Sequence, residues 1–308
     1  MYAYYQNVRG LRTKLINFHQ AFAESDYNIC VLTETWLDDS IPSSLLFDEN
    51  FIIYRCDRNN RNSNLSRGGG VLIACSSQLA VSSISSPCAS LEAVWVRINL
   101  GTSHLYLGAI YFPPYSSSSS SVIDDLMEGI GVVLGRMRSE DKIMIFGDFN
   151  MPGISWTADP HNKLWFYPSD FRQRDTTFID GLNFNHLKQL SGVTNGNGRQ
   201  LDLIFGNSAA AAICDSVHRV PLTIIPEDAY HPALETCITV IASPSDRPSR
   251  LVLTRELNFR KLDSRKFIRL ISTYDWSSLD AAPSIDETLY PVEPYVVDDR
   301  SVSAHSRW

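Results

Sequence analysis

Apolar residues at Leu11, Leu15, Phe18 and Phe22 recur at steps of three and four, which places all of them on one face of a helix. The period then changes. Short apolar runs at Ile29–Leu32, Phe51–Tyr54, Val71–Cys75, Leu91–Leu100 and Leu105–Tyr111 are each closed by turn-forming residues and predict strands. A second helical spacing, through Leu126, Ile130, Val133 and Leu134, predicts a helix over Val122–Met137, and the serines Ser116–Ser121 before it read as a polar loop and helix entry. Ile143–Phe146 is wholly apolar and ends at Gly147, the pattern of a central strand that displays residues at its carboxyl end. A further helix is expected within Phe171–Leu182, with strands near Leu187–Leu190, Leu201–Phe205 and Glu235–Ile241. Strands outnumber helices too heavily for a βαβ repeat, so the pattern predicts two packed sheets with helices outside them.

Past Ile241 the pattern stops. Ser243, Pro244, Ser245, Asp246, Arg247, Pro248 and Ser249 read as a linker. The expected organisation is one domain over residues 1–241, followed by a linker and partly disordered tail over 242–308. Residues 250–269 carry seven basic side chains against Glu256 and Asp263, read as a solvated surface helix, and the segment after them is acidic. Over the 308 residues, 27 Lys and Arg stand against 34 Asp and Glu, a net charge of −7. Such a chain has no general attraction for nucleic acid, so any such role must rest on local basic patches. No run approaches the roughly 18 apolar residues of a membrane span, and Met1–Gly10 lacks the features of a signal peptide, so anchoring and classical secretion are disfavoured. Six cysteines, scattered and without a CxxC pair, read as reduced core residues of an intracellular protein.

The chemistry concentrates after the central strand. In Gly147-Asp148-Phe149-Asn150 the acid and the amide are two apart and share a direction, so a proton acceptor and a neutral hydrogen-bond donor converge. Taken alone, this tetrapeptide serves equally well as a turn. Glu34 ends another apolar strand and Asn7 ends the first, positions from which a sparse Mg²⁺ site can be built, although each alone also fits a surface turn. Asp202 lies inside the apolar run Leu201–Phe205, where a charge needs a partner, and His231 is the best candidate because a carboxylate fixes a histidine tautomer and stabilises imidazolium. The loop Arg55–Arg67 holds four arginines against Asp57, and of these Arg58, Arg61 and Arg67 are the candidate contacts to a phosphate backbone. Gly68-Gly69-Gly70 lacks the Lys-Ser or Lys-Thr of a P-loop. Tyr111, before Phe112-Pro113-Pro114, can aim a phenol at a phosphate or pack as an ordinary strand-end tyrosine.

The order of these features is more specific than any one of them. Gln6-Asn7, Glu34 in TETW, RGGGV at 67–71, Tyr111 in YFPP, GDFN at 147–150, LDLIF at 201–205 and His231-Pro232 together resemble the endonuclease/exonuclease/phosphatase superfamily over about residues 1–241. Within it, QNVRGLRTK, LTETWL, GDFNMPGISW and LDLIFGN resemble the apurinic-type endonuclease domain of non-LTR (LINE-like) retrotransposons. Glu256–Lys261 through Asp275-Trp276 is similar to the segment joining such endonucleases to their reverse transcriptase.

The resemblance implies a DNase I-like α/β fold, a four-layer sandwich of two mixed sheets flanked by helices. It implies a Mg²⁺-dependent endonuclease, with Mn²⁺ as a substitute, that nicks double-stranded DNA so that a 3′-hydroxyl primes reverse transcription. Its partners are then element RNA and a reverse transcriptase, and its place of action the nucleus. Glu34 would bind the metal, supported by Asn7. Asp148 would move a proton at the attacking water or leaving oxygen, with Asn150 fixing that geometry, and His231, oriented by Asp202 and assisted by Tyr111, would bind the phosphate. One departure from the family pattern is local: Tyr230 stands before His231 where the family usually has Asp, with Asp228 upstream. The other concerns extent, since the first strand begins at once and no polymerase follows, so the expectation is a truncated element fragment. Two competing readings are an inactive DNA-binding or structural remnant, and a phosphatase or phosphodiesterase on the same fold.

Overall fold

Successive rather than alternating apolar residues in Ile29–Thr33 and Lys142–Asp148 require that both faces of these strands be covered. The computed structural model shows what covers them. It describes residues 1–240 apart from 64, 66, 115–119 and 163, together with Ser272. The described residues up to 240 belong to one compact unit. Most of the serine tract, and the linker, basic segment and acidic tail expected after residue 241, lie outside the described residues, Ser272 excepted.

The first eight strands in chain order are β1 (Tyr2–Asn7), β2 (Ile29–Thr33), β3 (Phe51–Cys56), β4 (Val71–Ser76), β5 (Val81–Ile84), β6 (Glu92–Asn99), β7 (His104–Tyr111) and β8 (Lys142–Asp148). Six more follow: β9 (Ser155–Ala158), β10 (Phe166–Asp170), β11 (Lys188–Gln189), β12 (Asp202–Gly206), β13 (His218–Arg219) and β14 (Leu234–Cys237). The helices are α1 (Leu15–Ala23), α2 (Ser120–Leu134), α3 (Thr176–Phe184) and the single turn α4 (Ser208–Ala211). One sheet runs β13-β14-β1-β2-β4-β3 and the other β5-β6-β7-β8-β12-β11-β10-β9. Both are mixed, since β1 pairs with β2 and β7 with β8 in parallel while the other neighbours are antiparallel.

Alternation within each strand assigns its side chains to two different interiors. Ala3, Tyr5, Ile29, Val31, Val71 and Ile73 of the first sheet meet Val94, Val96, Leu107, Met144, Phe146 and Ile204 of the second. On the far face of the first sheet, Tyr4, Cys30, Leu32 and Leu72 pack under Phe18 and Phe22 of α1. On the far face of the second, Ile143, Ile145, Leu203 and Phe205 pack under Leu126, Ile130 and Val133 of α2 and Phe178 and Leu182 of α3. The result is the expected four-layer α/β sandwich. A strand buried on both faces has no polar side to alternate with, which is why the sequence showed runs.

Several elements differ in extent from expectation. Leu11 precedes α1 rather than joining it, yet is fully buried, so it packs like a helical residue without being one. The hairpin β9–β10 carries no sequence signal because only its tethering to β11 makes it sheet, and it ends in Pro168 and a register shift before Asp170. Lys188-Gln189 and Leu234–Cys237 are shorter than the runs that suggested them.

Register gathers one end of both sheets. Asn7 pairs with Thr33 and Tyr111 with Asp148 across the parallel pairs. Across antiparallel pairs Asp202 stands opposite Asp148, Val71 opposite Thr33 and Glu92 opposite Tyr111. Gly147 is required here by close approach, because a Cβ on it would lie 2.3 Å from the carbonyl oxygen of Ile110. Alanine at 147 must therefore push β7 from β8, and denaturant unfolding should show a loss of about 1–3 kcal/mol, the usual cost of overpacking; an unchanged midpoint would mean that this edge is not rigid.

Candidate active site

Asp148, Asp202 and His231 lie at that edge with 0%, 2% and 5% of their surface exposed. A buried charge requires partners, and each has them. The Oδ2 atom of Asp148 accepts from Asn7 Nδ2 at 2.9 Å and Oδ1 from the Asn150 backbone N–H at 3.1 Å. Asp202 Oδ2 lies 2.9 Å from His231 Nδ1, and its Oδ1 accepts from the Tyr5 hydroxyl at 2.7 Å. His231 Nδ1 is 3.9 Å from Asp148 Oδ2, so the two acids share one imidazole. The strands explain the convergence: Tyr5 and Asn7 are two apart on β1 and share a face, Asp148 closes β8 and Asp202 opens β12 opposite it.

The electrostatics follow from burial and crowding. Burial pushes the Asp148 carboxyl well above the usual carboxylate range and the charge of Asp202 adds to this, while His231 pulls the other way. Burial raises Asp202 as well, with the His231 hydrogen bond as the largest opposing influence. For His231, burial disfavours the charge, but the hydrogen bond and charge of Asp202, followed by the charges of Asp148 and Asp228, outweigh it and push the imidazole up to about 9. At neutral pH the histidine is a cation and therefore a donor.

Glu34 sits where β2 ends, in the segment Thr33-Glu34-Thr35-Trp36. Its φ is +52°, and that of Trp36 is +54°, left-handed values that cost a side-chain-bearing residue free energy unless the surroundings impose them. They are imposed from both sides. The Glu34 carbonyl accepts from Gly10 N–H at 2.7 Å and that of Thr35 from Leu11 N–H at 3.0 Å, while Thr35 and Trp36 donate to Gly70 and Gly69 at 3.2 and 2.9 Å. The triple glycine is thus a brace for the Glu34 turn: Gly70 has φ +85°, and a Cβ there would lie 2.6 Å from Thr35 Oγ1. The Glu34 carboxylate receives the Trp36 indole N–H at 3.3 Å and the Tyr111 hydroxyl, and burial together with the nearby Glu34 and Asp148 charges keeps that phenol protonated.

Not every expected site residue keeps its expected task. Arg58 is corrected from a phosphate contact to an internal strut: its side chain is 7% exposed, its Nε donates to Glu92, it also donates to the Arg67 carbonyl, and its guanidinium lies 5.6 Å from the centre of the Tyr111 ring. The reason is Glu92, a buried acid that needs a cation and also caps Gly70 N–H. Arg61 and Arg67 remain exposed on that loop. Asn7 contacts Asp148 rather than Glu34, and its Oδ1 accepts from Arg9 N–H at 3.1 Å. Asn150, at φ +47°, donates its amide to Phe112 O at 2.9 Å, so it anchors the β8 end to the β7 end. Asp228 accepts from the backbone of both Tyr230 and His231 at 2.8 and 2.9 Å and from Arg9 Nη1 at 2.6 Å, which fixes the histidine turn.

Three participants carried readable signals that were not used. Glu92 is an acid inside an apolar run, the same signal that marks Asp202; Tyr5 lies two positions before Asn7 on a strand; Arg9 lies two positions after it. No sequence signal joins Arg9 to Asp228 across 219 positions.

Comparisons with known proteins bear on the family and the fold. The sequence profile described as the Endonuclease/Exonuclease/phosphatase family matches residues 5–247. No curated protein matches the chain. Among solved structures, the endonuclease domain of TRAS1, a telomere-specific non-LTR retrotransposon, is similar at 16% identity and a TM-score of 0.55 over 78% of this chain and 98% of that one. The 3′-5′ exonuclease NExo from Neisseria meningitidis matches at 17% identity and a TM-score of 0.56, over 77% of this chain and 99% of its own. An AP endonuclease from Archaeoglobus fulgidus matches at 14% identity and a TM-score of 0.52, over 78% and 100%. At these identities the likeness is one of fold.

Proposed function

Because the chain belongs to the endonuclease/exonuclease/phosphatase family, which residues 5–247 match, we propose that it is a divalent-cation-dependent endonuclease that nicks one strand of double-stranded DNA. The observation that carries this reading is the meeting of Asn7, Asp148, Asp202 and His231 in one hydrogen-bonded cluster, beside a Glu34 carboxylate held by a strained turn.

The site suits a hard cation. The buried acids Asp148 and Asp202 share a single imidazole, and after burial itself the neighbouring charges of Asp202 and Glu34 add to the raised proton affinity of Asp148. Carboxylate oxygens and an amide favour Mg²⁺, or Mn²⁺ in its place, with Glu34 as the principal holder and Asp148 beside it. When bound, such an ion neutralises the phosphate and acidifies water.

The remaining work falls to the chain. His231 is already protonated near neutral pH, so it donates to a phosphate oxygen and stabilises charge that grows in the transition state. Asp148 is then the group left to take the proton of the attacking water, held in line by Asn7 and by the Asn150 N–H. Asp202 and Tyr5 keep the imidazole oriented. Arg61 and Arg67 supply local positive charge for the DNA backbone on a chain whose net charge is −7.

The ordered motifs and the fold shared with the TRAS1 domain support the narrower setting of a non-LTR retrotransposon. There the nick primes reverse transcription, the partners are element RNA and a reverse transcriptase, and the work is done in the nucleus. Such a nick must carry a 3′-hydroxyl, so a DNA polymerase should extend it without prior end repair; blocked ends would remove the priming role. For the metal, Glu34→Gln should weaken Mn²⁺ binding by about 10–100-fold in calorimetry. Affinity equal to that of the parent would place the ion elsewhere.

A further inference from the structure

Arg9 ties the two halves of the cluster together. Its backbone N–H holds the Asn7 amide whose other end binds Asp148, and its side chain holds Asp228, which caps the His231 turn. The residue sits at φ +42°, a left-handed conformation fixed by this bond and by Gly10 N–H on the Glu34 carbonyl. Its guanidinium lies over the Tyr230 ring at 6.0 Å from the centre, within the packing range of a cation on an aromatic face. Its side chain is nonetheless 51% exposed, and Tyr230 is 49% exposed beside it. A guanidinium has five N–H donors in a planar fork, and the Asp228 contact uses one nitrogen.

The neighbouring Lys14 has its ammonium held on the Val8 carbonyl and feels the Arg9 charge, so Arg9 is not the sole cation at this rim. Arg58 is buried on Glu92, and Glu34 lies close enough to act on the Arg9 charge. We propose that Arg9 is a phosphate-binding residue of this site, preorganised by Asp228 beneath one edge and Tyr230 beneath its face so that the free edge of the fork receives a backbone phosphate of bound DNA. Stacking and pairing remove most of the rotamer freedom that a surface arginine loses on binding, which makes the contact effective although it is exposed. The inference rests on the DNA-cleaving reading above and assigns the rim of that site.

The test separates charge from tether. Arg9→Gln keeps an amide donor for Asp228 but removes the charge, while Arg9→Lys keeps the charge and loses the fork. Binding of a duplex oligonucleotide is measured with Ca²⁺ in place of Mg²⁺ over a salt series, with far-UV circular dichroism to establish folding. The parent's slope of log K against log salt should fall by about one in Arg9→Gln and be retained in Arg9→Lys, with affinity about tenfold lower in the glutamine variant. A purely structural role through Asp228 would change both variants alike and leave the slope untouched, and that result overturns the proposal. A parent that binds DNA but never cuts it would overturn the nuclease reading while leaving the Arg9 result legible; a parent that binds no DNA would overturn both.

Discussion

Asparagine at position 148 should reduce the nicking rate by about 10²–10⁴-fold, the range contributed by a positioned proton acceptor, with the fold intact. The substitution removes charge and leaves the shape of the side chain nearly unchanged. Asp148 is fully buried and accepts from Asn7 Nδ2 and from Asn150 N–H. The amide keeps one of these acceptors and presents an NH₂ to the other, while removing the proton-accepting carboxylate and a repulsion with Asp202. These two structural effects oppose each other, so the unfolding free energy should change by less than about 2 kcal/mol. Rate and stability measured on the same preparation separate the cases. A rate lost only in proportion to unfolded protein would remove Asp148 from the chemistry.

Asp202→Asn should have an effect of the same order through a different atom. The hydrogen bond and charge of Asp202 are the two largest influences that raise His231 to about 9 against the cost of burial. Without them the imidazole falls back toward or below its ordinary value, and near pH 8 the phosphate loses its cationic donor. The expected loss is about 10²–10⁴-fold at pH 8, smaller at pH 6, where more of the imidazole is protonated. The same linkage appears in stability. In metal-free protein, His231 is protonated more readily folded than unfolded, so its contribution is fully present below about pH 6.5 and is lost as pH rises through about 9. Urea unfolding in EDTA should show the parent losing stability across that window relative to His231→Gln. Parallel curves would mean that the histidine is neutral in the folded state.

How much of this could be read from the chain follows from the kind of signal each residue carries. Asp202 stood out because an acid inside an apolar strand is costly without a partner, whereas Asp148 and Glu34 were strand-end acids that fitted a turn equally well and gained weight only from the order of the motifs. The doubly covered strands were legible as runs, and the two-sheet sandwich followed. Arg58 was misread because the sequence shows a basic loop but not the buried Glu92 that claims it. Asn7 pairs with Asp148 across 141 positions and Arg9 with Asp228 across 219, and no local period encodes such contacts. The β9–β10 hairpin was missed for a related reason: it is an edge extension, supported by one neighbouring strand rather than by a pattern of its own.

Metal-dependent DNA cleavage by this cluster is tested by the relaxation of supercoiled plasmid. Purified chain incubated with plasmid should produce open circles in Mg²⁺ or Mn²⁺, none in EDTA, and almost none with Asp148→Asn. A folded parent that leaves the plasmid supercoiled in both metals, or nicking that persists in EDTA and in Asp148→Asn, would contradict it.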